Sequence, residues 1–142
     1  MPHHRSILAL VLAAVIAAPL AFCADDTHVK GPSPAHISMG QKVDVANYLV
    51  PGKTTIVDFY SEYCPPCRAI APKLVNLHKS RDDIAVVKVD INRPGVKGID
   101  WESPVAQQYQ LHSIPHFKIY GPDGKLQAEG DAAYDQVQKW VE

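Results

Sequence analysis

The strongest constraint on the fold is the segment from Thr54 to Lys79, in which two cysteines separate a predicted strand from a predicted helix. The residues before the pair, TTIVDFY, are β-branched, aromatic or apolar except for Asp58, and this composition is typical of a strand buried on both faces. Apolar residues then recur at the spacing of an amphipathic helix. Pro66 suits the first turn of that helix, where a missing N–H costs nothing, and Pro72 predicts a kink within it.

The rest of the chain extends this pattern into one α/β domain. A second buried strand is predicted from Ile84 to Ile91, and strand, helix and strand in this order form a right-handed unit with parallel pairing. Further on, residues 116–130 predict a β-hairpin around a Gly-Pro-Asp-Gly turn. A weak strand and a short helix precede Thr54, and Ser103 is a plausible N-cap of another helix. The predicted element order is βαβαββα, with a central mixed sheet flanked by helices.

Two expectations concern side chains outside the cysteine motif. Asp131 is expected to cap the last helix, whose inner face carries Tyr134, Val137, Trp140 and Val141. We interpret His78 and His112 as surface or rim residues.

The first 23 residues are interpreted as an export signal. A short basic start precedes an apolar stretch from Ile7 to Phe22, which is shorter than the roughly 20 residues that a membrane-spanning helix needs. Ala21 and Cys23 are small residues suitably placed for a cut after Cys23. The alternatives are an uncleaved anchor and a lipoprotein signal with Cys23 as the lipidated residue, although Phe22 occupies a position that normally holds a small residue.

An export signal predicts a periplasmic or secreted protein. Under the lipoprotein alternative, the protein would be anchored to a membrane through a lipid on Cys23. Residues 24–35 are polar and rich in glycine and proline, which predicts a flexible linker. Residues 36–142 are the size of a single domain. The formal net charge is −1, and the cationic residues form no stripe or block, so neither nucleic acid nor a membrane surface is expected as a partner. We expect a monomer.

A cut after Cys23 leaves the mature protein with only Cys64 and Cys67. A bridge between them closes a very small loop and removes little entropy from the unfolded chain, so it is a poor structural staple. Chemistry explains the pair better. The first cysteine lies beside the unpaired N–H groups at the start of a helix, which favour its thiolate. The second lies one turn along, within reach of the first.

This arrangement suits thiol–disulfide exchange. Cys64 attacks a substrate disulfide, and Cys67 resolves the mixed disulfide. We expect Cys64 to be exposed and Cys67 to be shielded. The alternative is half of a zinc site, but zinc needs four ligands and no second C-x-x-C accompanies this one, so no metal is expected.

Three segments, in order along the chain, resemble the thioredoxin family. VDFYSEYCPPCRAIAP resembles the strand, active-site motif and kinked helix of that family, and VVKVDIN resembles its following strand. VAQQYQLHSIPHFKIYGPDGK resembles the segment that carries its cis-proline and the hairpin after it. The resemblance covers most of residues 36–142. It implies a thioredoxin fold and thiol–disulfide exchange on protein substrates, with the Cys64–Cys67 disulfide as the redox centre and no cofactor.

The resemblance also assigns roles to single residues. Cys64 matches the nucleophile and Cys67 the resolving thiol. Asp58 matches the buried aspartate that shuttles a proton for the second cysteine, and Lys88 matches the lysine beside it. A carboxylate in a buried strand is costly unless it is paired, so we expect Asp58 to have a raised pKa or a nearby cation, where the alternative is a pair of solvated strand-end charges. Pro115 matches the cis-proline.

Several positions are expected to contact the substrate. Ile114 matches the residue whose backbone pairs with the substrate. Other positions depart from the family and bear on substrate identity and reduction potential. Tyr60 and Tyr63 replace tryptophans, Pro65-Pro66 replaces Gly-Pro, and His116 replaces a threonine. We count Tyr63, Pro65, Pro66 and His116 as substrate-binding residues. The segment from Arg93 to Ser103 is longer than in ordinary thioredoxins, and we expect it to shape a partner surface.

The direction of exchange is predicted from the two prolines. Neither has an N–H to donate towards the Cys64 sulfur, and a less stabilised thiolate makes the couple more reducing. The sequence thus predicts an exported disulfide reductase that is regenerated by a membrane thiol carrier. The alternatives are a disulfide oxidase or isomerase of the same fold, and a non-catalytic binding module.

Overall fold

The computed structural model describes residues 29–142. The predicted export signal and the first five residues of the predicted linker therefore lie outside the described residues. The elements are β1 (Ala35–Ile37), a 3-10 helix (Val45–Tyr48), β2 (Thr54–Tyr60), α1 (Pro65–Ser80), β3 (Ile84–Asp90), α2 (Pro104–Gln108), β4 (His116–Tyr120), β5 (Leu126–Glu129) and α3 (Asp131–Val141). From β2 onward their order is the predicted βαβαββα, and the weak strand and short helix expected before Thr54 are β1 and the 3-10 helix. Within the described part, no helix has the length and apolar character needed to cross a membrane.

The five strands form one mixed sheet in the order β1-β3-β2-β4-β5. Both β1 and β2 pair with β3 in parallel, whereas β4 is antiparallel to β2 and to β5. This confirms the predicted parallel unit and the antiparallel hairpin after it. The central position of β2 explains its nearly continuous apolar sequence, because both faces and both edges of that strand are covered.

A separate apolar cluster covers each face of the sheet. Ile56 and Phe117 pack with residues of α1 and α3 on one face, whereas Phe59 and Val89 pack with residues of α2 on the other. Successive side chains of a strand point to opposite faces. Asp58 therefore shares the face of Ile56, against which α1 packs, and this places it under the helix that carries the cysteines.

The last helix differs from its prediction in two details. The N-cap of α3 is Gly130 and no side chain caps the helix, so the prediction of Asp131 as the cap was wrong. Ala133 and Val137 are fully buried, while Tyr134 is 38% exposed. Ala133 and Val137, four residues apart, mark the buried face of α3. Tyr134 directly follows Ala133, so its side chain points away from that face. The prediction of Tyr134 as a core residue was therefore wrong.

His78 is buried, with 2% of its surface exposed, so its interpretation as a rim residue was wrong. With the proton on Nε2, its ring donates to the Gly31 carbonyl at 2.9 Å, and Nδ1 accepts the Val86 N–H at 3.0 Å. The register of β1 on β3 begins only at Val87. The imidazole thus supplies the acceptor that the short β1 does not offer to Val86.

The described end of the predicted linker contacts the domain. The Gly31 carbonyl accepts the hydrogen bond from His78 Nε2, and Lys30 Nζ donates to the Arg81 carbonyl at 2.6 Å. Ala35, the last residue of the predicted linker, is the first residue of β1.

Candidate active site

The sulfur of Cys64 lies at the N-terminus of α1. Cys64 is the N-cap, with an extended backbone, and its Sγ accepts the Cys67 N–H at 3.2 Å. Pro65 and Pro66 occupy the first two helical positions, where neither has an N–H to donate. The positive end of the helix dipole still faces the sulfur, so the site favours a thiolate there through a small number of donors.

Cys64 and Cys67 form a disulfide, with 5.3 Å between their Cα atoms. Both are 2% exposed, so the expected contrast between an exposed Cys64 and a shielded Cys67 was wrong for this oxidised state. The Ile114 carbonyl lies 3.6 Å from Cys64 Sγ, and it brings the backbone before Pro115 over the disulfide. The Ile114–Pro115 peptide bond is cis, as the resemblance implied.

Three of the expected substrate-binding residues form an accessible rim along the chain around Cys64. Tyr63 is 41% exposed, and Pro65 and Pro66 are exposed as well. Ile114, partly buried, packs on the apolar cluster beside α2 while its carbonyl faces Cys64. The surface next to the disulfide is thus apolar and aromatic.

His116 lies apart from this rim. In the β2–β4 pair it is opposite Phe59, and the two rings are 5.9 Å apart. Its Nε2 is 3.3 Å from Glu129 Oε1 on β5. Strand alternation points His116 to the α2 face of the sheet, away from the face of Asp58. A residue directly after Pro115 in sequence is therefore not brought to the disulfide by its side chain.

Asp58 is fully buried, and neither of its carboxylate oxygens has a hydrogen-bond partner among the described residues. Lys88, only 5% exposed, is its partner in the β2–β3 register, with Nζ 3.8 Å from Asp58 Oδ2. Burial raises the pKa of Asp58 to about 7, and the Lys88 charge opposes part of that rise. The carboxyl group therefore exchanges its proton near neutral pH, as a general base for a buried thiol must.

Tyr60 and His36 connect the buried Asp58–Lys88 pair to the protein surface. Lys88 Nζ lies 4.1 Å from the centroid of the Tyr60 ring, and the Tyr60 hydroxyl is 3.1 Å from Nδ1 of the exposed His36. Sequence reasoning did not single out His36. In the sequence, His36 is marked only as the one histidine of a weak first strand. Its place next to Tyr60 depends on the β1–β3 register, which pairs His36 with Lys88.

The predicted insertion is held together by its own polar contacts. Arg93 Nε donates to Asp100 Oδ2 at 2.7 Å, and Asn92 Nδ2 donates to the Gly98 carbonyl at 2.6 Å. Two residues of this segment line an open groove of about 560 Å³ together with residues of α2 and the turn after it: Trp101, Glu102, Ala106, Gln107, Gln110, Leu111 and His112. The insertion therefore contributes to a surface depression, while its role as a partner surface stays a prediction.

The alternative interpretation of Cys64 and Cys67 was half of a zinc site, which needs two further ligands. Between residues 29 and 142 no group of three or more potential ligands is arranged to hold a metal ion. The two thiols form a disulfide instead.

Sequence comparisons point to one family. The family model described as Thioredoxin matches residues 41–142. The chloroplastic thioredoxin F1 of Arabidopsis thaliana is 25% identical over 138 residues, which cover 87% of this chain and 74% of that protein. A thioredoxin H-type of Brassica oleracea is 33% identical over 86 residues, which cover 61% of this chain and 63% of that protein. The chain thus spans a little under two thirds of the H-type relative.

Solved structures share the same fold. A mutant thioredoxin from Halobacterium salinarum superposes with a TM-score of 0.54 at 19% identity, covering 80% of this chain and 96% of the other. Thioredoxin f2 of Chlamydomonas reinhardtii gives a TM-score of 0.53 at 26% identity, covering 76% and 93%. These similarities confirm the predicted fold class, a mixed sheet flanked by helices.

Proposed function

The chain belongs to the thioredoxin family and is a thiol–disulfide oxidoreductase, and we propose that it acts as an exported reductase of protein disulfides. The redox centre is its own Cys64–Cys67 disulfide. The family membership covers the exchange chemistry, and the direction and the compartment are the parts that the proposal adds.

One observation carries the direction. The hydrogen bond to Cys64 Sγ comes from the Cys67 N–H, and the two intervening residues are prolines. A poorly stabilised thiolate makes the dithiol form less stable relative to the disulfide, which lowers the reduction potential. The pair is then a better donor than acceptor of electrons.

The first step forms a mixed disulfide. In the reduced protein the Cys64 thiolate attacks one sulfur of a substrate disulfide, the substrate S–S bond breaks, and the leaving substrate thiolate takes a proton from water. The exposed rim of Tyr63, Pro65 and Pro66 contacts the substrate side chains. The backbone of Ile114, already beside Cys64 Sγ, pairs with the extended substrate segment.

The second step releases the reduced substrate. Asp58, as a carboxylate, accepts the Cys67 proton, and the Cys67 thiolate attacks Cys64 Sγ. The mixed disulfide breaks, the Cys64–Cys67 bond forms, and the second substrate thiolate is released and protonated. Two electrons pass from the protein to the substrate. A carboxyl group with a pKa of about 7 matches this proton transfer at neutral pH.

Each turnover leaves the protein oxidised, so the proposal requires a dithiol donor. The predicted export signal leads to an oxidising compartment, and we assign the donor role to a thiol carrier in the membrane that passes two electrons to Cys64–Cys67. Mature protein recovered from the periplasmic or secreted fraction, with an N-terminus at Ala24, supports this location, and recovery of the intact chain from the cytoplasm contradicts it.

Insulin reduction tests the exchange activity. In the presence of dithiothreitol, the protein is expected to accelerate insulin precipitation, and a Cys64→Ser variant is expected to match the rate without protein. Tyr134→Phe, on the exposed side of α3, is the control and should retain the wild-type rate. An unaltered rate in Cys64→Ser contradicts the assignment of the nucleophile.

A further inference from the structure

The ammonium group of Lys88 lies between two groups. Asp58 Oδ2 is 3.8 Å from Nζ, and the centroid of the Tyr60 ring is 4.1 Å from it. An aromatic face attracts a cation, most strongly where water is excluded, and Lys88 is only 5% exposed. A flexible four-carbon stem has many rotamers, so the ring helps to select the one that keeps the charge beside Asp58.

The Tyr60 ring is itself held by His36. Its hydroxyl is 3.1 Å from His36 Nδ1, and the two rings meet edge to face at 6.0 Å and 88°. His36 is the partner of Lys88 in the β1–β3 register, so one strand pair sets both contacts. A tryptophan, which the family carries at the position of Tyr60, has no hydroxyl to make this bond.

We infer that Tyr60, fixed by His36, is a positioning residue that holds the Lys88 ammonium beside Asp58 and so sets the pH at which Asp58 accepts the proton of Cys67. Tyr60 touches neither the disulfide nor a substrate in this role. It acts through Lys88, and His36 acts through Tyr60.

The charged and titratable groups around this array are few. Lys88 faces Asp58 from β3, and α1 presents Cys67 on the same side of the sheet. Burial raises the pKa of Tyr60 to about 12, together with the negative charges of Asp90, Asp58 and Glu62, so its hydroxyl stays protonated. Burial, followed by the Lys88 charge, lowers the pKa of His36 while Asp90 opposes the shift. At neutral pH the ring is therefore uncharged and able to accept the Tyr60 hydroxyl.

The direction of the effect follows from the sign of the Lys88 charge. A cation beside Asp58 favours the carboxylate and lowers its pKa, in opposition to burial. If the ammonium group moved about 2 Å outward, the carboxylate would lose enough attraction to raise the titration midpoint by about one pH unit. Fewer Asp58 carboxylates would then be present at neutral pH, and Cys67 would lose its proton more slowly.

The test measures Asp58 itself. The ¹³C shift of its carboxyl carbon is followed against pH in the oxidised protein, where neither cysteine titrates. We expect a wild-type midpoint near 7 and a midpoint about one pH unit higher in Tyr60→Leu. Lys88→Met removes the charge altogether instead of displacing it, so its upward shift should be the larger of the two. Tyr60→Phe and His36→Leu retain an aromatic ring above Lys88 but remove the bond between the Tyr60 hydroxyl and His36, so they should show smaller upward shifts. Tyr134→Phe is the matched control and should leave the midpoint in place.

A midpoint in Tyr60→Leu equal to wild type overturns the inference, and so does an unshifted Lys88→Met. If Tyr60→Phe and His36→Leu both have the wild-type midpoint, the claim that His36 fixes Tyr60 is overturned. Tyr60→Phe preserves the packed volume, so this comparison survives even if Tyr60→Leu unfolds.

The consequence for exchange rests on the proposed role of Asp58, whereas the titration does not. The resolution rate of a preformed mixed disulfide is therefore measured against pH in the same variants. Its profile should move upward with the Asp58 midpoint. A shifted midpoint with an unshifted rate profile supports the positioning of Lys88 and contradicts the proton transfer to Asp58, so the two failures are distinguishable.

Discussion

Replacing Asp58 by asparagine should change how the stability of the oxidised protein depends on pH. The substitution keeps the size of the side chain and removes its charge. In the wild-type protein, burial raises the pKa of Asp58 from 3.8 to about 7. The folded protein thus keeps a proton on this group over a pH range in which the unfolded chain has already lost it.

The sign and size follow from proton linkage. A raised folded-state pKa contributes stability that is fully present below pH 3.8, decreases as pH rises, and is lost above about pH 7. A difference of about three pKa units, at 1.36 kcal/mol each, amounts to about 4 kcal/mol. The side chain is fully buried, so solvent screening removes little of this. The free energy of unfolding of the wild type, minus that of Asp58→Asn, should decrease by about 4 kcal/mol from pH 4 to pH 8.

Urea denaturation of the oxidised proteins at several pH values between 4 and 8 measures this difference. The buried amide of asparagine and the loss of the partner of Lys88 shift the variant by amounts that do not depend on pH, so they cancel in the comparison. Asp135→Asn, on the exposed surface of α3, is the control and should run parallel to wild type. Parallel curves for Asp58→Asn would refute the raised pKa and, with it, the role of Asp58 as a base near neutral pH.

Three further predictions concern other parts of the chain. Cys67→Ala should accumulate mixed disulfides with protein substrates while Cys64→Ala traps none, which non-reducing electrophoresis checks; equal trapping contradicts the assignment. His78→Ala leaves two backbone groups unpaired and should cost about 2 kcal/mol at pH 7.5. Burial lowers the pKa of His78, so the wild type loses stability as pH falls below 6.5. The cost of His78→Ala, measured by urea denaturation, should therefore be smaller at pH 5 than at pH 7.5, and an equal cost at both pH values would contradict the lowered pKa. Gly40→Ala places a Cβ 2.6 Å from backbone whereas Gly52→Ala meets open space, so denaturation should show the greater loss for Gly40→Ala; equal losses exclude the clash.

The elements around the cysteine motif could be predicted because local and global signals agree there. The apolar sequence of β2, the prolines at the start of α1 and the spacing of Cys64 and Cys67 each point to a strand–helix junction. These predictions depend on periodicity and order along the chain, which the sequence contains. The resemblance to the thioredoxin family implied that Lys88 lies beside Asp58, and the β2–β3 register confirms it.

The residues that were predicted wrongly depend on where strands and stripes end. His78 is buried because the β1 register begins at Val87, so that Val86 needs another acceptor. Cys64 is covered in the disulfide because the Ile114 carbonyl reaches it from a segment 50 residues away. Tyr134 lies beside the buried face of α3, which is confined to Ala133 and Val137. Such features are set by tertiary contacts, which helical or strand periodicity does not specify.

The reduction potential of the Cys64–Cys67 pair tests the central claim most directly. Protein equilibrated in a series of dithiothreitol buffers, quenched in acid and alkylated, gives the fraction of disulfide at each potential. A reductase with a poorly stabilised Cys64 thiolate should have a potential at or below about −270 mV. A value near −120 mV would contradict the proposal and identify the pair as an oxidant of protein thiols.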